Sequence, residues 1–229
     1  MPEGLVLPGR RAPAPEPPER IALDMAFGAG NPAVLGDKSR YNSHGAITTA
    51  TVAAGLHGLC LDFNPLNPDY ITIPAAHTQL DFTTEDFSIV ARVYVDNTGA
   101  HRYLLSRGLW NTDGYYFRVS NGGELLFRTF QVAANQASNS PAGSILINNW
   151  YTVGMSRSGP NVAVYRNGVD ITTVWGVHIN PVTCARDAYV GLESLPANGP
   201  YDGRIEFYRI FVGIELTGSE HLAWHNALV

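Results

Sequence analysis

The sequence predicts an all-β fold in one body, closed by a single short C-terminal helix. Three observations carry this: one long segment alternates apolar and polar residues with period two, two pairs of such segments flank glycine-containing turns, and helical periodicity is absent until the final stretch. With 229 residues, 45% hydrophobic and 15% charged, one large β domain can bury a sizeable core without disulfides or a structural metal.

The first twenty residues hold six of the fifteen prolines, interspersed with Arg10, Arg11, Glu16, Glu19 and Arg20. Proline locks φ and lacks the amide donor, so this segment is expected to be polyproline or disordered. We read residues 1–20 as a proline-rich arm, with Arg10, Arg11 and Arg20 as candidate docking groups, and residues 21–229 as the domain.

Within that domain, DFSIVARVYV places Phe87, Ile89, Ala91, Val93 and Val95 on one face and Asp86, Ser88, Arg92 and Tyr94 on the other. This is the pattern of a strand with one buried face. GYYFRVS and GELLFRTF flank Asn121-Gly122-Gly123, and WYTVGMSRS and NVAVYRNG flank Ser158-Gly159-Pro160, so each pair reads as a hairpin. DAYVGLE and RIEFYRIFV add two further strands around SLPANGPYDG. At the end, Thr217 and Glu220 stand at capping-box spacing before Ala223, Trp224, Ala227 and Leu228, which predicts the closing helix.

Charge and apolar runs exclude several partners. The net charge is −5 and the Lys and Arg residues are scattered singly, which argues against nucleic acid. No run of eighteen apolar residues occurs and the start has no apolar core of leader length, so a soluble chain without a membrane partner is expected. Cys60 and Cys184 are expected to be buried thiols rather than a bridge.

Several landmarks then fall in a telling order: Asp37, Ser39, Asn42, His44 and Gly45 in DKSRYNSHG; Leu61, Phe63, Asp69, Tyr70, Ile71, Ile73 and Pro74 in GLCLDFNPLNPDYITIP; and Trp150, Tyr151, Val153, Val162, Val164, Tyr165, Asn167 and Gly168 in the second hairpin. Together with YVGLE and the closing DGRIEFYRIF strand, this order resembles the laminin-G-like domains of the concanavalin A-like lectin and glucanase superfamily, in its bacterial and viral branch. The likeness runs from about Ile21 to Ala227. It departs at Asn64-Pro65, where the family has Asp-Gly, and at Arg92, where Trp is common. The resemblance implies a two-sheet antiparallel jelly-roll sandwich.

Glycan hydrolysis on such a fold needs two carboxyls on alternate residues of one strand face, because retention requires them about 5–5.5 Å apart. Here Glu85 and Asp86 are adjacent and Glu206 is alone on its face, so no catalytic residues and no enzyme are expected. Asp37, Ser39 and His44 share one loop, where Asx-type turns explain them better than a triad does. Relatives that bind calcium do so with carboxylates and carbonyls at a sandwich edge. The resemblance therefore offers Asp37, Asp62, Asp69 and Glu206 as calcium donors, the one cofactor in view. His221 and His225 are one turn apart, but Leu222 stands where a zinc enzyme needs Glu.

For glycans, the candidate platforms are Trp110 with Asn111 and Asp113, and Tyr201 with Asp202, since aromatic faces beside amides and carboxylates suit sugars. The leading expectation is a non-enzymatic virion component, such as a bacteriophage capsid decoration or tail protein. It would dock on virion structural proteins, or on itself, through the arm. The alternative is a lectin-like module of a bacterial surface or secreted protein that binds cell-surface glycans, with a glycoside hydrolase third.

Overall fold

The computed structural model describes residues 20–26, 34–131 and 136–227. In chain order its strands are β1 Ile21–Ala26, β2 Val34–Leu35, β3 Gly45–Thr48, β4 Thr51–Ala54, β5 Leu59–Phe63, β6 Tyr70–Ile73, β7 Phe87–Val95 and β8 Arg102–Leu109. They continue with β9 Asp113–Val119, β10 Leu125–Thr129, β11 Ala137–Asn139, β12 Trp150–Ser158, β13 Asn161–Arg166, β14 Val169–Asp170, β15 Ala188–Val190 and β16 Gly203–Val212, and helix α1 spans Gly218–Asn226.

The strands form two antiparallel sheets. One runs β14-β13-β12-β7-β16-β5-β4, with β1 also paired to β16, and the other runs β11-β10-β9-β8-β15-β6-β3-β2. Sequence neighbours such as β9 and β10 or β12 and β13 pair directly, as their turn residues predict. β7 and β16 pair across more than a hundred residues of chain. The result is the two-sheet jelly-roll sandwich that the resemblance implies.

The predicted inward face of β7 does enter the core: Phe87, Ile89, Ala91, Val93 and Val95 pack with Ile71, Phe117, Phe127, Val153 and Ile210 between the sheets. Each fully buried Phe, Ile or Val side chain contributes about 1.5–3 kcal/mol relative to exposure. The opposite face of β7 was expected to be the polar one, yet Ser88, Val90 and Arg92 are buried too. Helix α1 lies over it, and Val90, Phe207 and Phe211 pack with Leu216 and Trp224 as a second cluster. The helix starts at the predicted cap, where the Thr217 hydroxyl accepts from the Glu220 amide and the Glu220 carboxylate accepts from the Thr217 amide. Leu228 lies outside the described residues.

Buried arginines tie loops to this frame. Arg107 donates to the carbonyls of His77, Ala75 and Cys184 at 3.0, 3.1 and 3.0 Å. Arg92 holds the chain end through the carbonyls of His225 and Ala227, and Arg157 reaches Thr83 and Asn180. A guanidinium carries five donors in a rigid fork, so one side chain can satisfy carbonyls from segments distant in sequence. Both cysteines are buried and unbridged. Of the arm, only Arg20 is described: it donates to the Gly213 carbonyl at 3.1 Å, while Arg10 and Arg11 lie outside the described residues.

Candidate functional site

The DKSRYNSHG loop is organised around one carboxylate. Asp37 Oδ1 accepts from the amides of Asp24 and Ser39, and Oδ2 accepts from the Ser43 amide and the Ser39 hydroxyl, all between 2.6 and 2.8 Å. His44 Nδ1 accepts from the Asp37 amide, which leaves the imidazole off the Ser39 hydroxyl. The cluster is a loop lock, and Asn42 at φ 49° supplies the left-handed turn that asparagine tolerates.

The four carboxylates proposed as calcium donors do not converge. Asp37 is saturated by the donors just named. Glu206 sits at a bulge of β16, where Oε2 pairs with Arg92 at 3.3 Å and Oε1 accepts from the amides of His57 and Gly58. Two of the four, Asp62 and Asp69, do share a polar cleft of about 380 Å³ with Thr49, Thr51, Asn64 and Asn67. There Asp69 accepts from Thr49 and from the Asn64 amide, and Asp62 pairs with Arg204. Among the described residues no group of three or more His, Cys, Asp or Glu side chains is placed to hold a metal, so the four-carboxylate set does not fit calcium. His221 and His225 bond to Ser156 and Thr152 respectively, which separates them as ligands.

Tyr201 and Asp202 need correction as a glycan platform. Tyr201 extends the inward alternation of Gly203 and Ile205 one step beyond β16, so its ring enters the core at 0% exposure, edge-on to Phe63. Its hydroxyl donates to the Tyr94 carbonyl. Asp202 is paired with Arg102 at 3.2 Å, and burial raises its pKa.

Trp110 is placed differently. The β8–β9 hairpin turns through Leu109–Asp113, with Asn111 at φ 55°. Asp113 Oδ1 closes the turn by accepting from the Leu109 amide at 2.8 Å and from Arg186 at 3.3 Å, so this carboxylate is structural. Trp110 stands at the tip, 46% exposed, with Phe130 edge-on to it.

The guanidinium of Arg128 lies 4.4 Å from the centre of the Trp110 ring. Arg128 is on β10 opposite Tyr116 and Ala137, on the sheet face pointing away from Phe127 and the core. It also lines a cleft of about 350 Å³ with Gln136, Asn139 and Trp175. Trp175 is 55% exposed. It is held in place because Val174 exchanges both backbone bonds with Asn139 and the Gly176 amide donates to Ser138. His178, two residues on, anchors the same segment beneath the sheet through Ser138 at 3.0 Å, and burial depresses its pKa to about 4.

Sequence reasoning found Trp110 but missed Arg128, Trp175 and Asn139, which come from three segments. The only local signal for Arg128 was an arginine at an outward position of a strand whose alternate residues are apolar.

The outer sheet face thus carries a cleft lined by Arg128, Asn139 and the exposed Trp175, with the exposed Trp110 ring against the Arg128 guanidinium. Residues 67–220 match a laminin-G-type family model described as the Concanavalin A-like lectin/glucanases superfamily, and the chain belongs to that superfamily. No curated protein matches it in sequence.

Among solved structures it is similar to the binding domain of Paraclostridial Mosquitocidal Protein 1, at 14% identity and a TM-score of 0.69, with 91% of this chain and 52% of that one covered. It therefore spans about half the length of that protein chain. It is also similar to domain 4 of AbnA, a GH43 extracellular arabinanase from Geobacillus stearothermophilus, in complex with arabinotriose: 17% identity, TM-score 0.68, 89% of this chain and 97% of that one. A third is the binding domain of Botulinum Neurotoxin DC in complex with SialylT, at 16% identity and a TM-score of 0.66, covering 93% and 52%. At these identities the likeness establishes the fold.

Proposed function

We propose that this chain is a lectin-like module that binds glycans without acting on them, and that it works outside the cell or at a cell surface. The observation that carries the reading is the outer-face cleft, which Arg128 and the exposed Trp175 line and where the exposed Trp110 ring lies against the Arg128 guanidinium. Aromatic faces bury the apolar flank of a sugar ring, and the guanidinium and the Asn139 amide supply polar contacts. The carboxylates nearest hydrolytic chemistry are committed elsewhere: Glu206 to Arg92, and Asp86 to the Gly159 amide. Glu85 accepts from the Thr83 amide, and its pKa is lowered.

Two of the similar proteins were solved with saccharide-type ligands, and such neighbours favour a glycan over a virion partner. The virion reading places its docking on the arm, which lies outside the described residues apart from Arg20. The test is a glycan microarray probed with the wild-type chain and with Trp110→Ala and Trp175→Ala. Retention of a defined glycan set by wild type and its loss in both variants is the expected result, and equal retention by all three would overturn the assignment to this cleft.

A further inference from the structure

Resting on that reading, we infer that the cleft lined by Arg128 and Trp175 selects a sugar bearing a carboxylate, with Arg128 as its counter-ion. Among the described residues, five arginines (Arg92, Arg102, Arg186, Arg204 and Arg209) each face a carboxylate within 3.3 Å. Arg128 has none. Its guanidinium lies against Trp110, and its polar neighbour is the hydroxyl of Tyr116.

Among the described residues, the wall of the cleft offers nothing to neutralise it. The Gln136 amide is occupied, donating to the Gln131 carbonyl and accepting from Thr129 and the Ile179 amide. Asn139 and Trp175 carry no charge, and among the described residues no carboxylate lines the cleft. His178 beneath it stays neutral through the physiological range, so among the described lining residues Arg128 supplies the one positive charge.

A guanidinium resting against an aromatic face keeps its N–H edge for ligands, and that planar fork matches a carboxylate through two parallel hydrogen bonds. The chain as a whole carries −5, so it repels polyanions at long range and any preference for an acidic sugar must arise at this site. One arginine matches one monoanionic group. A densely sulfated polymer would need a row of cations, whereas the Lys and Arg residues here are dispersed.

The experiment is a glycan array with uronic-acid, sialylated, sulfated and neutral members, followed by titration of the best glycan and of its carboxyl methyl ester. Wild type, Arg128→Gln and Arg128→Lys are compared, with thermal unfolding to verify that each is folded. The inference predicts that the retained glycans carry carboxylates and that Arg128→Gln or methyl esterification weakens binding by about tenfold or more, the scale of a charge-assisted pair. Arg128→Lys, which keeps the charge but not the fork, should fall between. A retained set that is neutral or sulfated, or an affinity indifferent to Arg128→Gln, overturns the inference and leaves glycan binding standing. Retention of no glycan overturns both.

Discussion

His221 makes acid stability a sharp test of how helix α1 is docked. Its ring is 1% exposed, stacked 3.9 Å from Tyr165, with Nε2 2.9 Å from the Ser156 hydroxyl, and Gly154 beneath it leaves the room that a Cβ would fill. Burial lowers its pKa to about 3. The unfolded chain, with an ordinary histidine near 6.5, therefore binds a proton between pH 6.5 and 3 that the folded chain does not, and stability falls as pH drops through that window. From pH 7 to pH 5 the loss is about 2 kcal/mol, from roughly 1.4 kcal/mol per pH unit below 6.5. His178, depressed to about 4 by burial first and by Arg157 and Arg128 after it, acts in the same direction over the same interval. Together the two remove about 4 kcal/mol, a large share of a typical domain's stability. Glu193, raised by burial, acts oppositely, so the comparison must be between variants.

The assay is urea unfolding at pH 7 and pH 5 for wild type and His221→Phe, which keeps a ring and cannot titrate. Losing the bond to Ser156 costs the variant about 1–2 kcal/mol at both pH values, but its pH-induced loss should be about 2 kcal/mol smaller than that of wild type. An equal loss in the two proteins would refute the assignment of His221 as a buried neutral base.

Arg107→Met should lower stability by about 3 kcal/mol, because three carbonyls lose their donors while the relieved burial of charge offsets part of the cost; calorimetry reads it as a fall in Tm. Asp37→Ala should cost at least as much, since it strips four donors of their acceptor, and amide exchange at Asp24, Ser39 and Ser43 should accelerate together. Thr217→Ala removes the cap of α1 and should cost about 1 kcal/mol, measured by denaturant midpoint.

Local signals were legible in the sequence to the extent that their partners are local. The hairpin turns, the capping box and the inward face of β7 all rest on spacings within about ten residues, and each appears where expected. The burial of Val90 and Arg92 could not be read, because it depends on α1 returning more than a hundred residues later to cover that face. Tyr201 was readable in principle, since it continues the alternation of Gly203 and Ile205, but the flanking glycine and proline residues signalled a loop. Trp110 was found because it is an aromatic residue in a polar turn. Its partner Arg128, and Trp175 in the cleft that Arg128 lines, were hidden, since only the pairing of β9, β10 and β11 and the docking of residues 171–180 bring them together.

If Trp110 and Trp175 form the proposed binding site, their own indole N–H groups must respond to the ligand. The chain has four tryptophans, and the indole N–H resonances report on each. On titration with a glycan retained by the array, the Trp110 and Trp175 signals should shift and saturate together, while those of Trp224, buried at 3% exposure, and Trp150, packed on Tyr94, stay in place. Saturable binding that leaves Trp110 and Trp175 unmoved would contradict the account.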